Sequence, residues 1–282
     1  MKYQAIVGLA VLLAAILAAI GLNRGSAHSD QLEAVSPAII GEGSAVPVLV
    51  ELFTSEGCSS CPPADELLMR LVQTQPVPGA QIVALSEHVD YWNRLGWKDP
   101  YSSAELTERQ NGYARAFGSD DIYTPQMIVD GGVAFVGGSE NKAREAIAAS
   151  ARLPKAVVEI KLSDNRDGST MRFVIRVASS GDFKPGAEAE VLLALTEDGL
   201  RSDVSRGENA GRKLAHTAVV RKLVTLGSLK LSDGKVFTAE PGVNKEWKRD
   251  RLRAVAFVQE RTSRRILGAA AMAVVDSRKN QD

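Results

Sequence analysis

The chain has 282 residues with 34 basic and 34 acidic side chains, so its formal net charge is zero. That balance removes the electrostatic basis for broad nucleic-acid binding, which needs a cationic surface to displace counterions from phosphate, and we expect no nucleic-acid partner. With 45% hydrophobic and 24% charged residues the composition is that of an ordinary globular protein, and two cysteines are too few for a disulfide framework.

Lys2 precedes an uncharged apolar segment from Ala5 to Leu22, and Asn23 to His28 is polar. Residues 1–27 therefore read as a signal peptide or an N-terminal membrane anchor. Gly25-Ser26-Ala27 supplies small residues for a signal peptidase, whereas the apolar length reaches that of the shortest spanning helices. Either way the body of the protein is exported, to the periplasm or the extracellular space, where conditions are oxidising; an uncleaved segment would contact the membrane. Residues 28–44 are small, polar and proline-containing, and read as a linker.

Ala45 to Phe53 is a short apolar run with the look of a buried strand. It leads into Phe53-Thr54-Ser55-Glu56-Gly57-Cys58-Ser59-Ser60-Cys61-Pro62-Pro63-Ala64-Asp65, which contains both cysteines. A disulfide closing so short a loop removes little chain entropy, so the value of the pair is chemical. Ala64, Leu67, Leu68, Leu71 and Val72 then recur on one helical face, with Asp65, Glu66, Arg70 and Gln73 directed away from it. Pro62 and Pro63 are tolerated only in a first turn, which puts the N-cap at Ser60 or Cys61 and the thiols at the positive end of the helix dipole. A thiolate is favoured there, and Cys-x-x-Cys between strand and helix predicts a redox-active pair. An inert disulfide and metal capture are the competing readings. Ser59 and Ser60 are placed to donate hydrogen bonds to the thiolate of Cys58, the more exposed of the two cysteines.

Gln81 to Leu85 is a second buried strand, parallel to the first across the helix. Asn93 to Ser102 is irregular, and Ser102-Ser103-Ala104-Glu105 reads as a capping box for a helix ending at Gly118. Met127 to Val129 and Val133 to Val136 form a hairpin, and Ser139 caps a last helix through Ala149. These elements delimit a first domain over 45–151. From Val157 onwards the pattern becomes short β segments separated by turns, including Asn165-Arg166-Asp167-Gly168 and Arg261-Thr262-Ser263-Arg264. It predicts an antiparallel β-sandwich-like domain over 154–275, a binding or orienting module, with 276–282 as a tail. The basic residues Arg206, Arg212, Lys213, Arg221 and Lys222 read as a solvated face.

The order β, α, β, α, β, β, α, with Cys-x-x-Cys at the first helix and Thr124-Pro125 before the third strand, resembles the thioredoxin fold. The resemblance implies an α/β domain with a central mixed sheet flanked by helices. Cys58 would be the nucleophile, Cys61 the resolving thiol, Glu51 a buried acid serving Cys61, and Thr124 and Pro125 a substrate-contacting edge. Trp92, with Tyr91 and Trp97, is placed to line a peptide groove or to pack within the domain. His88 is a candidate proton shuttle, or a third soft ligand for copper or zinc, although we expect no metal site. Gly57 departs from ordinary thioredoxins, which usually carry a bulky aromatic before the first cysteine.

More specifically, the chain is similar to an uncharacterised exported family, a domain of unknown function with a thioredoxin-like fold, through the cysteine stretch above. Further matches are Glu87-His88-Val89-Asp90-Tyr91-Trp92, Trp97-Lys98-Asp99-Pro100, Tyr123-Thr124-Pro125-Gln126 and Arg206-Gly207-Glu208-Asn209-Ala210-Gly211. The leading expectation is an exported thiol-disulfide oxidoreductase acting on protein or small-thiol disulfides, with no cofactor beyond its own cysteine pair and with reductant supplied from the membrane. The alternative is a non-enzymatic thioredoxin-like binding protein, such as a copper or zinc carrier.

Overall fold

The computed structural model describes residues 45–164, 171–178, 183 and 188–274. The N-terminal apolar segment, the linker, the turn expected at Asn165-Arg166-Asp167-Gly168 and the C-terminal tail lie outside the described residues. No helix among the described residues is long and apolar enough to cross a membrane.

Strand β1 (Val46–Thr54) runs parallel to β2 (Ala80–His88), with Val46 opposite Ala80 and Thr54 opposite His88. Between them lies helix α1 (Pro62–Thr74), which begins with its prolines in the first turn and Cys61 at the N-cap. It ends at Gln75, whose side chain accepts from the Ile82 N–H at 2.7 Å and donates to the Ile82 carbonyl at 3.2 Å. One amide thus imitates a neighbouring strand and satisfies a length of the β2 edge that would otherwise be unpaired. After a short 3-10 turn at Asn93–Leu95 comes α2 (Ala104–Ala116). Ser103 caps it by accepting from the Leu106 N–H at 3.2 Å. The cap therefore sits at the second serine of the pair, so Leu106 occupies the position a capping box reserves for Glu105 and only half of the box forms. Strands β3 (Gln126–Val129) and β4 (Val133–Val136) form the expected hairpin, with β3 antiparallel to β1, and α3 (Glu140–Ser150) follows.

Side chains alternate along β1. Val48, Val50 and Leu52 join Leu67, Leu68 and Leu71 of α1 and Ala143 and Ile147 of α3 in one core. Leu49 and Phe53 point the other way, into cores that contain Leu106 and Tyr113 of α2. The helices cover both faces because both faces of β1 are apolar.

The remaining strands are β5 (Val157–Asp164), β6 (Arg172–Ala178), β7 (Glu188–Glu197), β8 (Leu200–Asp203), β9 (Lys213–His216), β10 (Val219–Lys230), β11 (Lys235–Ala239), β12 (Leu252–Glu260) and β13 (Ile266–Ala273). Four of them continue the first sheet, giving eight strands in the order β13-β12-β7-β10-β2-β1-β3-β4. The junction is short: Val219 of β10 bridges Ser86 of β2, and the Ser86 N–H donates to the Ala218 carbonyl at 2.8 Å. A three-stranded sheet, β11-β6-β5, shares a core with one face of this extension, Phe173 and Ile175 meeting Val191, Leu193 and Ala256. Two sheets do face each other, but one is the continuation of the first sheet, so the boundary expected between Ala151 and Pro154 does not separate two sheets. The fold is mixed α/β, mostly strands, with a large mixed sheet. β9 and β10 are separate strands because Ala218 between them takes a positive φ of 51° and Asp198 accepts from its N–H at 2.8 Å.

Glu51, on the outward-alternating face of β1 with Leu49 and Phe53, meets Arg109 of α2. The Arg109 Nε donates to Glu51 at 2.7 Å and to Glu87 of β2 at 3.1 Å, and its Nη1 donates to Gln259 of β12 at 3.1 Å. Tyr113 donates to Glu51 and receives from Gln259 at 2.9 Å. All of these groups are buried. Burial raises the Glu87 carboxyl well above its ordinary range; Arg109 opposes this and Glu51 adds to it. One guanidinium between two carboxyls is then balanced by a proton kept on Glu87. Arg109→Leu, which leaves the buried Glu51 carboxylate without a counter-charge, is expected to cost about 3–5 kcal/mol in urea unfolding, and the double variant Glu51→Leu/Arg109→Leu to regain most of it.

Candidate functional site

Cys58 and Cys61 are joined as a disulfide with a Cα separation of 5.5 Å. The loop that holds them is tightly bonded: the Cys58 N–H donates to Ser55, the Cys61 N–H to Cys58, and the Ala64 and Asp65 N–H groups to the Cys61 carbonyl, at 2.8–3.2 Å. Cys61 therefore enters the first helical turn through its own carbonyl, as the proline positions require. Both cysteines are 0% exposed, which corrects the expectation of an accessible Cys58. The intervening serines are exposed. The Ser60 hydroxyl lies 3.4 Å from Cys58 Sγ, and a disulfide sulfur has no proton, so the hydroxyl is the donor. Ser59 is occupied differently, its N–H donating to Glu208 Oε2 at 3.0 Å.

Trp92 and Pro125 reach the same region from two loops. A Cβ built on Gly57 would lie 3.1 Å from the Trp92 Cβ, so Trp92 packs where the residue before the first cysteine has no side chain. The Trp92 indole N–H donates to Thr124 Oγ1 at 2.8 Å. The Thr124-Pro125 peptide is cis, and Pro125 is buried. A Cβ on Gly137 would meet Leu52 at 2.7 Å and both Pro125 and Ala64 at 3.2 Å, so Pro125 and the first turn of α1 close on the same glycine.

Glu51 is not part of this group. The residues of β1 that face α1 are Val48, Val50 and Leu52, and Glu51 alternates away from them to Arg109. A single residue of offset along a strand exchanges one face for the other, so the acid expected behind Cys61 serves a different network.

The acid on the α1 side is Asp65, which the helical pattern directs away from the core but which is 6% exposed. It stands four residues after Cys61, a spacing that puts both on one helical face. Burial pushes its carboxyl up to about 7, with His216 of β9 pulling it back. His216 Nδ1 is 4.0 Å from Asp65 Oδ2, and its Nε2 is 3.1 Å from Glu56 Oε1. Glu56 also accepts from the Trp97 indole at 2.8 Å. Beside them, His88 Nδ1 lies 2.7 Å from Asp99 Oδ2, and the two histidine rings meet edge to face at 4.8 Å. Burial works against ionised Asp99, yet His88 and two backbone N–H groups hold its carboxyl below its usual range. His88 thus pairs with Asp99, while the nearby Asp90 accepts from Thr107 at 2.6 Å. Among the described residues no group of three or more His, Cys, Asp and Glu is arranged to hold a metal ion.

Asn209 completes the group, its Nδ2 donating to the Glu56 and Cys58 carbonyls. Glu56, Asp65, Asp99, Asn209 and His216 are thus the residues of the site that pattern reading does not single out. Four of the five lie in the stretches Phe53 to Asp65, Trp97 to Pro100 and Arg206 to Gly211, where charged or amide groups stand among glycines and aromatics. His216 carries a fainter signal, in register with the inward-facing Leu214.

The residues of this site fall within a match to a family model that covers residues 49–259. The chain belongs to the family described as Protein of unknown function (DUF1223). No curated protein matches it. A crystal structure of a protein from Agrobacterium tumefaciens is similar to it at 29% identity and a TM-score of 0.65, over 83% of this chain and 97% of that one. A domain of the outer membrane lipoprotein Omp28 from Porphyromonas gingivalis, at 13% identity and a TM-score of 0.26, covers 43% of this chain and 89% of its own length. That likeness is too slight to bear on fold or function. In this family member the site draws on both halves of the matched region, since Asn209 and His216 follow the end of α3 by more than fifty residues.

The raised Asp65 carboxyl has a consequence for stability. The folded chain holds this proton at pH values where the unfolded chain, with an ordinary carboxyl of 3.8, has lost it, so stability falls as pH rises from about 4 to about 7. Asp65→Asn removes that term. Relative to wild type it is expected to gain about 2–4 kcal/mol between pH 4 and pH 8 in urea unfolding of the oxidised protein.

Proposed function

We propose that this chain is an exported thiol-disulfide oxidoreductase with a thioredoxin-like core, working through Cys58 and Cys61. The observation that carries the reading is the disulfide at the N-terminus of α1, with Pro125 across from the first turn and the buried acid Asp65 one turn further on. The order β1-α1-β2-α2-β3-β4-α3, with β1 paired between β2 and β3, supports the thioredoxin-like description. The apolar segment at Ala5 to Leu22 supports export, by cleavage or as an anchor.

The chemistry follows from the arrangement. A substrate thiolate attacks Cys58 Sγ, the Cys58–Cys61 bond breaks, and Cys61 leaves as a thiolate at the positive end of the helix, where Asp65 gives it a proton. A second substrate thiol, after losing its proton, attacks the substrate sulfur of the mixed disulfide and releases Cys58. The substrate dithiol has become a disulfide and the pair a dithiol; the reverse sequence reduces a substrate disulfide. In this reading Asp65 takes the part expected of Glu51, and Ser60 supports the sulfur of Cys58. Substrates are thiol or disulfide proteins or small thiols, and a reductant at the membrane restores the dithiol when the protein acts reductively.

A second reading, a binding protein with a fixed disulfide, draws on the complete burial of both sulfurs. Turnover separates the two. Wild type is expected to accelerate insulin reduction or the reoxidation of a scrambled substrate, Cys58→Ser to abolish the effect, and Cys61→Ser to accumulate a mixed disulfide. Absence of both acceleration and trapped partner would leave the binding reading.

A further inference from the structure

The disulfide is buried although its two intervening serines are exposed. Residues Ser205–Gly211, in the loop joining β8 to β9, are tied to the backbone around Cys58. Asn209 is the only buried residue of those seven. Its Nδ2 donates to the Glu56 carbonyl at 2.8 Å and to the Cys58 carbonyl at 2.9 Å, while Glu208 next to it accepts from the Ser59 N–H. One buried amide and one exposed carboxylate thus bind this loop to the backbone of the redox motif.

The same loop is a unit bonded within itself, resting at Gly207 against Leu95 and Trp97. It is closed on itself by bonds from Val204 to Arg212, from Gly211 to Val204, from Ala210 to Gly207 and from Arg212 to Asn209, at 2.7–3.1 Å, none of which is made to the motif. Gly207 and Gly211 hold positive φ of 76° and 81° on either side of Glu208, Asn209 and Ala210. The β8–β9 ribbon that carries it is a separate two-stranded sheet, so lifting the loop breaks no strand pairing of the large sheet. The attachment is also incomplete, because Asn209 Oδ1 is buried without a hydrogen bond, which offsets part of what its Nδ2 bonds contribute. The other neighbours lack this freedom: Pro125 opens a sheet strand, and Asp65 is within α1.

We propose that Ser205–Gly211 is a cover over the Cys58–Cys61 disulfide, that it must lift before a thiolate reaches Cys58 Sγ, and that Asn209 and Glu208 set how often it does. The inference deepens the redox reading, since a cover of this kind reserves the pair for partners able to wait for or to displace it. It concerns access alone and is tested without any physiological substrate.

The probe is dithiothreitol. Its thiolate attacks Cys58 Sγ and expels Cys61, its second thiol closes the dithiothreitol ring and expels Cys58, and the reagent leaves as the cyclic disulfide. Reduction of the folded protein is followed at pH 8 by alkylation with a maleimide-polyethylene glycol and gel shift. Loss of the Asn209 bonds is expected to speed reduction of Asn209→Ala about tenfold, and loss of the exposed Glu208 bond to speed Glu208→Ala about threefold. Reoxidation by the cyclic disulfide rises by the same factors, so the equilibrium with dithiothreitol stays unchanged. Far-UV circular dichroism identifies an unfolded Asn209→Ala, in which case Glu208→Ala, altered at an exposed side chain, decides. Reduction rates within twofold of wild type, or a rate increase matched by a shifted equilibrium, overturn the cover. Faster reduction in the variants with no insulin turnover by wild type keeps the cover and removes the enzyme; turnover with unchanged reduction rates does the opposite.

Discussion

Alternation along β1 governs the layout of this protein. Val48, Val50 and Leu52 pack against α1, the helix that carries the cysteine pair at its head, and Glu51 between them is sent to Arg109 on the opposite side. A strand with both faces buried has no surface to which a charge can retreat, so each acid near it needs its own counter-charge, proton or hydrogen bonds. Two separate polar interiors result. One is the Arg109 network between β1, β2, α2 and β12, and the other is the cluster of Glu56, Asp65, His88, Asp99 and His216 beside the disulfide.

The two interiors differ in what they leave unspent. Around Arg109 nearly every donor is engaged, through Glu51, Glu87, Tyr113 and Gln259, which suits a device that joins distant strands. Around the disulfide, Asp65 Oδ1, His88 Nε2 and His216 Nδ1 are buried without a hydrogen bond, whereas in the Arg109 network this holds of the acceptor Glu87 Oε2. Each of these atoms is held without the hydrogen bond that a buried polar group ordinarily finds. Low local dielectric makes the charge of each member depend on the others, and Asp65 responds to His216, Asp99 and Glu56 together.

Sheet continuity is what makes the site composite. The bridge from Ser86 to Val219 ties β10, and with it the chain that precedes it through β9, to the edge of β2. His216 lies just before that bridge and Asn209 just before β9, and this is how residues from the β-rich half arrive over a motif more than a hundred and forty positions earlier in the chain.

Much of this was legible in the residues themselves. The strand before the cysteines, the helix start at Cys61, the β3–β4 hairpin and the Thr-Pro step rest on local rules, namely the fixed φ of proline, the period of apolar residues and turn chemistry, which need no distant partner. The cysteine pair declared itself by spacing alone. What only the tertiary structure decided is which acid stands near it and what covers it. Glu51 and Asp65 are both carboxylates close to the motif in sequence, and the choice between them turned on one residue of strand register and on the arrival of His216. Asn209 is likewise distant in sequence, and its amide finds the Cys58 carbonyl only once β8 and β9 have paired and been brought against α1. Local propensity acts over a few residues, whereas a carboxyl's proton affinity and a sulfur's exposure are set by every element that closes around it, and those come from the whole chain.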